Sequence, residues 1–340
     1  MNKEDFISHL VSELNLGKNV NFEYHFNDIG YKVRFLAPNE NEDINIPSIL
    51  IVPQIQDMNN QIVVESNNLE SENLQEIIEQ GIQTGIKLVK LTSVLPGPIV
   101  IPLIPSKVNY PYLQQLSREC FDLSSDDKYY RIDEQLVRII DKAKTYIMQE
   151  KVLVLKDKIF LNGYSSSGVF AQRFALLHPD IVETACIGGA VRSIPIPTEK
   201  FDYPIGISNY QILTGRSFDL ENYTKIKFRY YVGEFETKEL SNSKVDDFGQ
   251  PAPMHDMSYF EKSGLREIGI QQRSILGSDL FSRAESSVQI LHNFGIDVHY
   301  KIILGRGHND NSGLEVNELG DKFVTDTYKS TIEERKKNLE

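Results

Sequence analysis

The stretch Lys158-Ile-Phe-Leu-Asn-Gly-Tyr-Ser-Ser-Ser-Gly-Val-Phe-Ala-Gln-Arg-Phe-Ala-Leu-Leu-His178 holds an apolar run, a Gly/Ser knot and a second apolar run. Ile159, Phe160 and Leu161 read as a short buried strand, and Val169 to Leu177 as a helix with Phe170 and Phe174 four residues apart. Between them the chain must reverse direction within a few residues. Gly163, Ser165, Ser167 and Gly168 suit so tight a turn, because larger side chains would clash there. A serine at that apex is held out from the backbone.

The pattern small-x-Ser-x-small is that of a nucleophile elbow, with Gly163 and Ser167 as the small positions and Ser165 as the nucleophile. Ser166, the next residue, begins the helix. Its backbone N–H is therefore aimed at any oxyanion forming on a substrate bonded to Ser165. Ser167 replaces the second glycine of the stricter G-x-S-x-G pattern, which is expected to widen the turn without removing the nucleophile. The bland alternative is a Ser/Gly loop capping an ordinary helix.

With 340 residues and 40% apolar side chains, the chain can bury a substantial core. Its formal charge is −12, and it has no long basic run, which argues against nucleic acid or an anionic membrane surface as partner. Only Cys120 and Cys186 are present, too few for a disulfide framework or a cysteine zinc cluster. The first ten residues carry acids and His9 rather than an apolar signal core, so a cytoplasmic location is expected. The longest apolar stretch, Ile99 to Ile104, is far short of the roughly twenty residues a membrane helix needs.

Outward from the elbow, Val20, Phe22, Tyr24 and Phe26 alternate, then Tyr31, Val33 and Phe35, across the turn residues Asn27 to Gly30; this is an antiparallel hairpin. A short helix over residues 3 to 15 precedes it. Ser48 to Val52, Gln61 to Glu65, Pro98 to Ile104, Thr184 to Ala190, Phe228 to Val232 and Val298 to Leu304 read as further strands. Helical spacing covers Leu74 to Leu88, Ile132 to Ile147 and a segment through Phe281 and Leu291 that ends near Gly295. Alternating strands and helices predict parallel pairing through helical crossovers. Lys238 to Gly269, rich in Ser, Asp, Pro and Met, reads as an irregular insertion or lid.

A serine hydroxyl needs a base, and the base needs a third group to hold its tautomer. Of the seven histidines, His308 is best placed, in a loop just after the last strand between Gly307 and Asn309. His178 follows the elbow helix and suits a helix cap, whereas His299 lies within a strand and His292 in the last turn of a helix. His9 and His25 precede the sheet proper, and His255, in the insertion, is a candidate substrate contact. The acid is expected after an earlier strand. Phe228-Arg-Tyr-Tyr-Val-Gly-Glu-Phe-Glu236 delivers two carboxylates, with Glu236 the first choice and Glu234 the alternative. Asp246, Asp247 and Asp256 stay open.

The elbow Gly163-Tyr-Ser-Ser-Ser-Gly168, the turn Val232-Gly-Glu-Phe-Glu236 and the terminal Gly305-Arg-Gly-His308 follow the order nucleophile, acid, histidine. In this the chain resembles the α/β-hydrolase superfamily over about residues 20 to 335, loosely its bacterial polyester depolymerase and feruloyl esterase-like members. The resemblance implies an α/β-hydrolase fold: a mostly parallel central sheet with an N-terminal antiparallel hairpin and helices on both faces. One domain is expected over residues 1–340, with residues 238–269 inserted in it. The superfamily's usual His-Gly oxyanion motif is replaced by Glu65-Ser-Asn-Asn-Leu69, so the oxyanion donors would be the N–H groups of Ser166 and of Asn67 or Asn68.

The implied function is hydrolysis of an ester or related acyl bond by Ser165, His308 and Glu236 through an acyl-enzyme. The implied partner is a small-molecule acyl substrate; no metal and no organic cofactor are needed. Tyr164, with Tyr110 and Tyr112, is a candidate substrate contact; plain packing is the alternative. Acyltransferase and peptidase chemistry would use the same triad, and a catalytically silent binding or regulatory protein would keep only the fold. The spacing of His308, Asn309 and Asp310 is not that of a zinc site, and the Gly/Ser knot lacks the Lys of a phosphate loop. Oligomeric state is not encoded in any of these patterns.

Overall fold

The computed structural model describes residues 3–69, 71–106, 113–151, 154–236, 265–308 and 315–337. Two compact units divide the chain, Met1–Ala171 with Thr325–Glu340, and Gln172–Val324.

The first unit opens with helix α1 (Lys3–Asn15) and the hairpin β1 (Val20–Phe26) and β2 (Ile29–Leu36). Asn27 and Asp28 both take positive φ, 48° and 62°, the conformation a two-residue hairpin loop requires of Asn and Asp. Phe22 stacks on Phe35 across the pair, and Phe6 of α1 meets Phe22 edge-on at 5.3 Å. Next come β3 (Ser48–Pro53), β4 (Val63–Val64), α2 (Leu74–Leu91), β5 (Ile99–Pro102), α3 (Ile132–Glu150) and β6 (Ile159–Tyr164). Helix α4 (Ser166–Leu177) then starts. The strand order here is β1-β2-β3-β5-β4-β6, antiparallel as far as β5 and parallel from β5 through β4 to β6.

Helices cover both faces of these strands. On the Phe35, Ile49 and Ile101 face, α2 comes so near that a Cβ on Gly81 would stand 2.3 Å from Leu103, and one on Gly85 2.8 Å from Ile51. On the opposite face, Arg34 lies 4.5 Å over the Tyr146 ring of α3 and hydrogen-bonds Glu150. The C-terminal helix (Glu315–Lys337) docks through Tyr328, whose hydroxyl accepts from Asn59 at 2.6 Å and donates to the Leu95 carbonyl and whose ring meets Phe160 edge-on.

The second unit holds the rest of α4, β7 (Val182–Gly188), the short α5 (Tyr210–Thr214) and α6 (Leu220–Tyr223), β8 (Lys227–Gly233), α7 (Leu265–Leu276), α8 (Leu280–Asn293) and β9 (Val298–Ile303). Its strands run parallel in the order β7-β8-β9. Asp279 and Ser282 close a capping box at the start of α8. The Tyr231 ring fills the space a side chain at Gly188 would need. The two strand orders, antiparallel only at the N-terminal end, are those of the α/β-hydrolase fold. Among the described residues, no helix is long and apolar enough to cross a membrane. Residues 238–264 of the expected insertion lie outside the described residues, and α7 occupies its last five positions.

Arg229 of β8 makes two hydrogen bonds of 2.8 Å to Asp297, just before β9, and they hold that carboxyl below its usual range against the opposing effect of partial burial. A depressed folded-state pKa stabilises the fold above the unfolded value, and that stabilisation is lost as pH falls through the folded value. The stability difference between wild type and Asp297→Asn in urea melts should thus be constant above about pH 5 and shrink below about pH 4. A difference that persists unchanged at pH 2 would contradict the ion pair.

Candidate active site

Ser165 sits alone between β6 and α4 at φ 57°, the left-handed region that a residue with a side chain rarely enters. Holding serine there costs about 1–3 kcal/mol and requires surroundings that over-determine it. Two neighbours do so. A Cβ on Gly163 would stand 2.3 Å from the Ser167 carbonyl oxygen and 2.7 Å from the Gly168 nitrogen, so strand and helix approach this closely only at glycine. The Ser167 hydroxyl accepts from the Tyr164 N–H and donates to the Tyr164 carbonyl, each at 2.9 Å. Ser167, where the stricter pattern has glycine, thus ties the first turn of α4 to the end of β6. Ser166 is the first residue of α4, and first-turn N–H groups have no acceptor within their own helix.

Beside the elbow in the first unit, residues 65 to 69 follow the two-residue strand β4. Side chains hold this loop where ladder hydrogen bonds stop. Buried Glu65 accepts from Lys87 at 2.5 Å and from Asn162 of β6 at 2.6 Å. The Asn67 amide pairs with both backbone groups of Ile104, and the Gln114 amide does the same with Leu69. Asn68 donates to the Tyr164 carbonyl at 3.0 Å. Asn67 is fully enclosed, at 0% exposure, whereas Asn68 is half-buried.

In the second unit, the parallel pairing of β8 with β9 runs on past both strands. Gly233 lies opposite Ile303; the Glu234 N–H then donates to Ile303 at 3.0 Å and the Phe235 N–H to Arg306 at 2.6 Å. The Arg306 carbonyl fills the place of a Gly233 side chain, 2.5 Å from where its Cβ would be. One step further, Nδ1 of His308 hydrogen-bonds Oε1 of Glu236 across 72 residues of sequence. Glu236 is 5% exposed, and among the described residues its Oε2 has no hydrogen-bond partner. With Nδ1–H donated to the carboxylate, Nε2 carries the imidazole lone pair.

The Glu234 carboxylate accepts the Gly305 N–H at 2.8 Å and pins the segment that carries His308. Three other described histidines of this unit make contacts of their own. His178 continues the last turn of α4 and lies tilted against the Phe174 ring, His292 bonds the Val298 carbonyl, and His299 meets Phe323. Tyr164 is half-buried, and its backbone carries the hydrogen bonds of the elbow. Tyr110, Tyr112, His255, Asp246, Asp247 and Asp256 lie outside the described residues. Gln114, Lys87 and Asn162 carry no sequence signal for their roles, because an amide or ammonium becomes informative only once its acceptors are placed.

No protein-family model matches the chain, and no curated protein matches it. Among solved structures it aligns with poly(aspartic acid) hydrolase-1 from Sphingomonas sp. KT-1, at 12% identity over 90% of this chain and 98% of that one, TM-score 0.48. It aligns likewise with a poly(3-hydroxybutyrate) depolymerase from Bordetella parapertussis, at 11% identity over 94% and 90%, TM-score 0.49. A third is carboxyl esterase 2 from Tuber melanosporum, at 10% identity over 88% of each chain, TM-score 0.44. With identities this low and TM-scores below 0.5, the chemistry rests on this chain's own residues.

Gly163→Ala should destabilise the protein by about 1–3 kcal/mol, since the strand and helix must part to admit a methyl group. Urea unfolding checks this, and an alanine variant as stable as wild type would contradict the close approach.

Proposed function

We propose that the chain is a serine hydrolase that cleaves a carboxylic ester through an acyl-enzyme formed on Ser165. The observation that carries this reading is the left-handed Ser165 at the apex of a strand–turn–helix, a strained conformation that sets a serine immediately before the N-terminus of a helix. The Glu236–His308 hydrogen bond supports it, because a buried carboxylate on Nδ1 fixes the tautomer in which Nε2 acts as a base.

In this mechanism Nε2 of His308 takes the Ser165 proton as Oγ attacks the acyl carbon, and Glu236 stabilises the imidazolium that forms. The N–H of Ser166 and the N–H of Asn68 donate to the tetrahedral oxyanion, each contributing about 3–4 kcal/mol. Asn68 is preferred to Asn67 for its partial exposure. Among the described residues its N–H donates no hydrogen bond, whereas the Leu69 N–H is held by Gln114. His308 returns the proton to the leaving alcohol; water, deprotonated by the same imidazole, then releases the acid. The reaction uses only side chains and backbone amides, and its substrate is a small acyl ester.

Hydrolysis of p-nitrophenyl esters of graded chain length tests the assignment. Ser165→Ala and His308→Ala should each lower kcat by about 10⁴-fold or more, and Glu236→Ala should lose far more than Glu234→Ala. Ester turnover that survives Ser165→Ala would remove the serine from the mechanism. Equal losses at Glu234 and Glu236 would remove the distinction between acid and loop pin.

A further inference from the structure

We infer that Asn68 is a positioning residue: its side-chain amide, donated to the Tyr164 carbonyl, locks the loop that supplies the second oxyanion donor to the turn that carries the nucleophile. This rests on the function proposed above and assigns to the side chain a role separate from that of its own backbone N–H.

The Tyr164 carbonyl is the last backbone acceptor before Ser165. It receives Asn68 Nδ2 at 3.0 Å and the Ser167 hydroxyl at 2.9 Å. One oxygen thus ties together the strand end, the first turn of α4 and the 65–69 loop. Elsewhere the loop is anchored to more distant points, Asn67 to Ile104 and Leu69 to Gln114, whose own amide also reaches the Ile104 carbonyl at 2.7 Å. Those anchors fix the ends of the segment. Among the described residues, Asn68 makes the only side-chain hydrogen bond from residues 66–69 to the elbow itself. An oxyanion donor must lie within a few tenths of an ångström of its place, and a displacement of about 1 Å can cost 10²-fold in rate. Preorganisation that a His-Gly motif would supply through backbone conformation is supplied here through side-chain amides.

Asn68→Ala keeps the backbone N–H and removes the clamp; Asn68→Asp keeps the shape and removes the donor. Both are assayed in the full chain with p-nitrophenyl acetate and with a phenylboronic acid, which forms a tetrahedral adduct on an activated serine. The expected result is a fall in kcat of about 10–100-fold, KM within about threefold, and a boronate inhibition constant raised in step with the loss of kcat, while urea unfolding midpoints stay near wild type. Gln114→Ala, which loosens the loop at its far end, provides a second test and should move kcat in the same direction by less. Wild-type kcat in folded Asn68→Ala and Asn68→Asp would overturn the clamp while leaving the serine mechanism standing. A wild type that neither hydrolyses the ester nor binds the boronate would overturn both.

Discussion

A serine held in the left-handed region at the end of a buried strand is the constraint on which the site depends. The strain of about 1–3 kcal/mol is small beside the burial of Ile159, Phe160 and Leu161, each at most 1% exposed, which anchors β6 whatever its last residue does. The turn is then fixed from two sides. Gly163 lets the first turn of α4 lie against the strand, and the Ser167 hydroxyl ties that turn to Tyr164 through two hydrogen bonds. Serine at this position is therefore a working part of the turn.

The same economy appears within each unit. In the first unit β4 is only two residues long, yet the loop beyond it is tied down by the side chains of Glu65, Asn67, Asn68 and Gln114. In the second unit the pairing of β8 with β9 continues as single hydrogen bonds through Glu234 and Phe235, and it delivers Glu236 to His308. Register in a parallel pair is a long-range property. Here it joins two residues that 72 positions of sequence separate.

Sequence alone exposed the parts of this fold that repeat a pattern. Phe22 and Phe35 announce the hairpin by alternation, Ile77, Ile78 and Leu88 announce α2 by helical spacing, and Gly163 to Gly168 announce the turn by composition. The strand expected over Gln61 to Glu65 shrinks to Val63–Val64, since no periodicity shows where side-chain amides replace ladder bonds. Helices α5 and α6, at five and four residues, are too short to show a period. Helix α7 begins inside the stretch whose composition reads as irregular. Ser165, His308 and Glu236, the residues of the proposed mechanism, stand out in the sequence because each follows a strand at a break. Gln114 is not, because its role consists of two hydrogen bonds to one distant residue, Leu69.

The activated serine is tested most directly by treating the intact chain with a fluorophosphonate and locating the adduct by peptide mass spectrometry. The expected result is one phosphonyl group per chain, on Ser165, formed rapidly in folded protein and absent after urea denaturation. An adduct on another residue, or no adduct on folded protein, would contradict an activated Ser165.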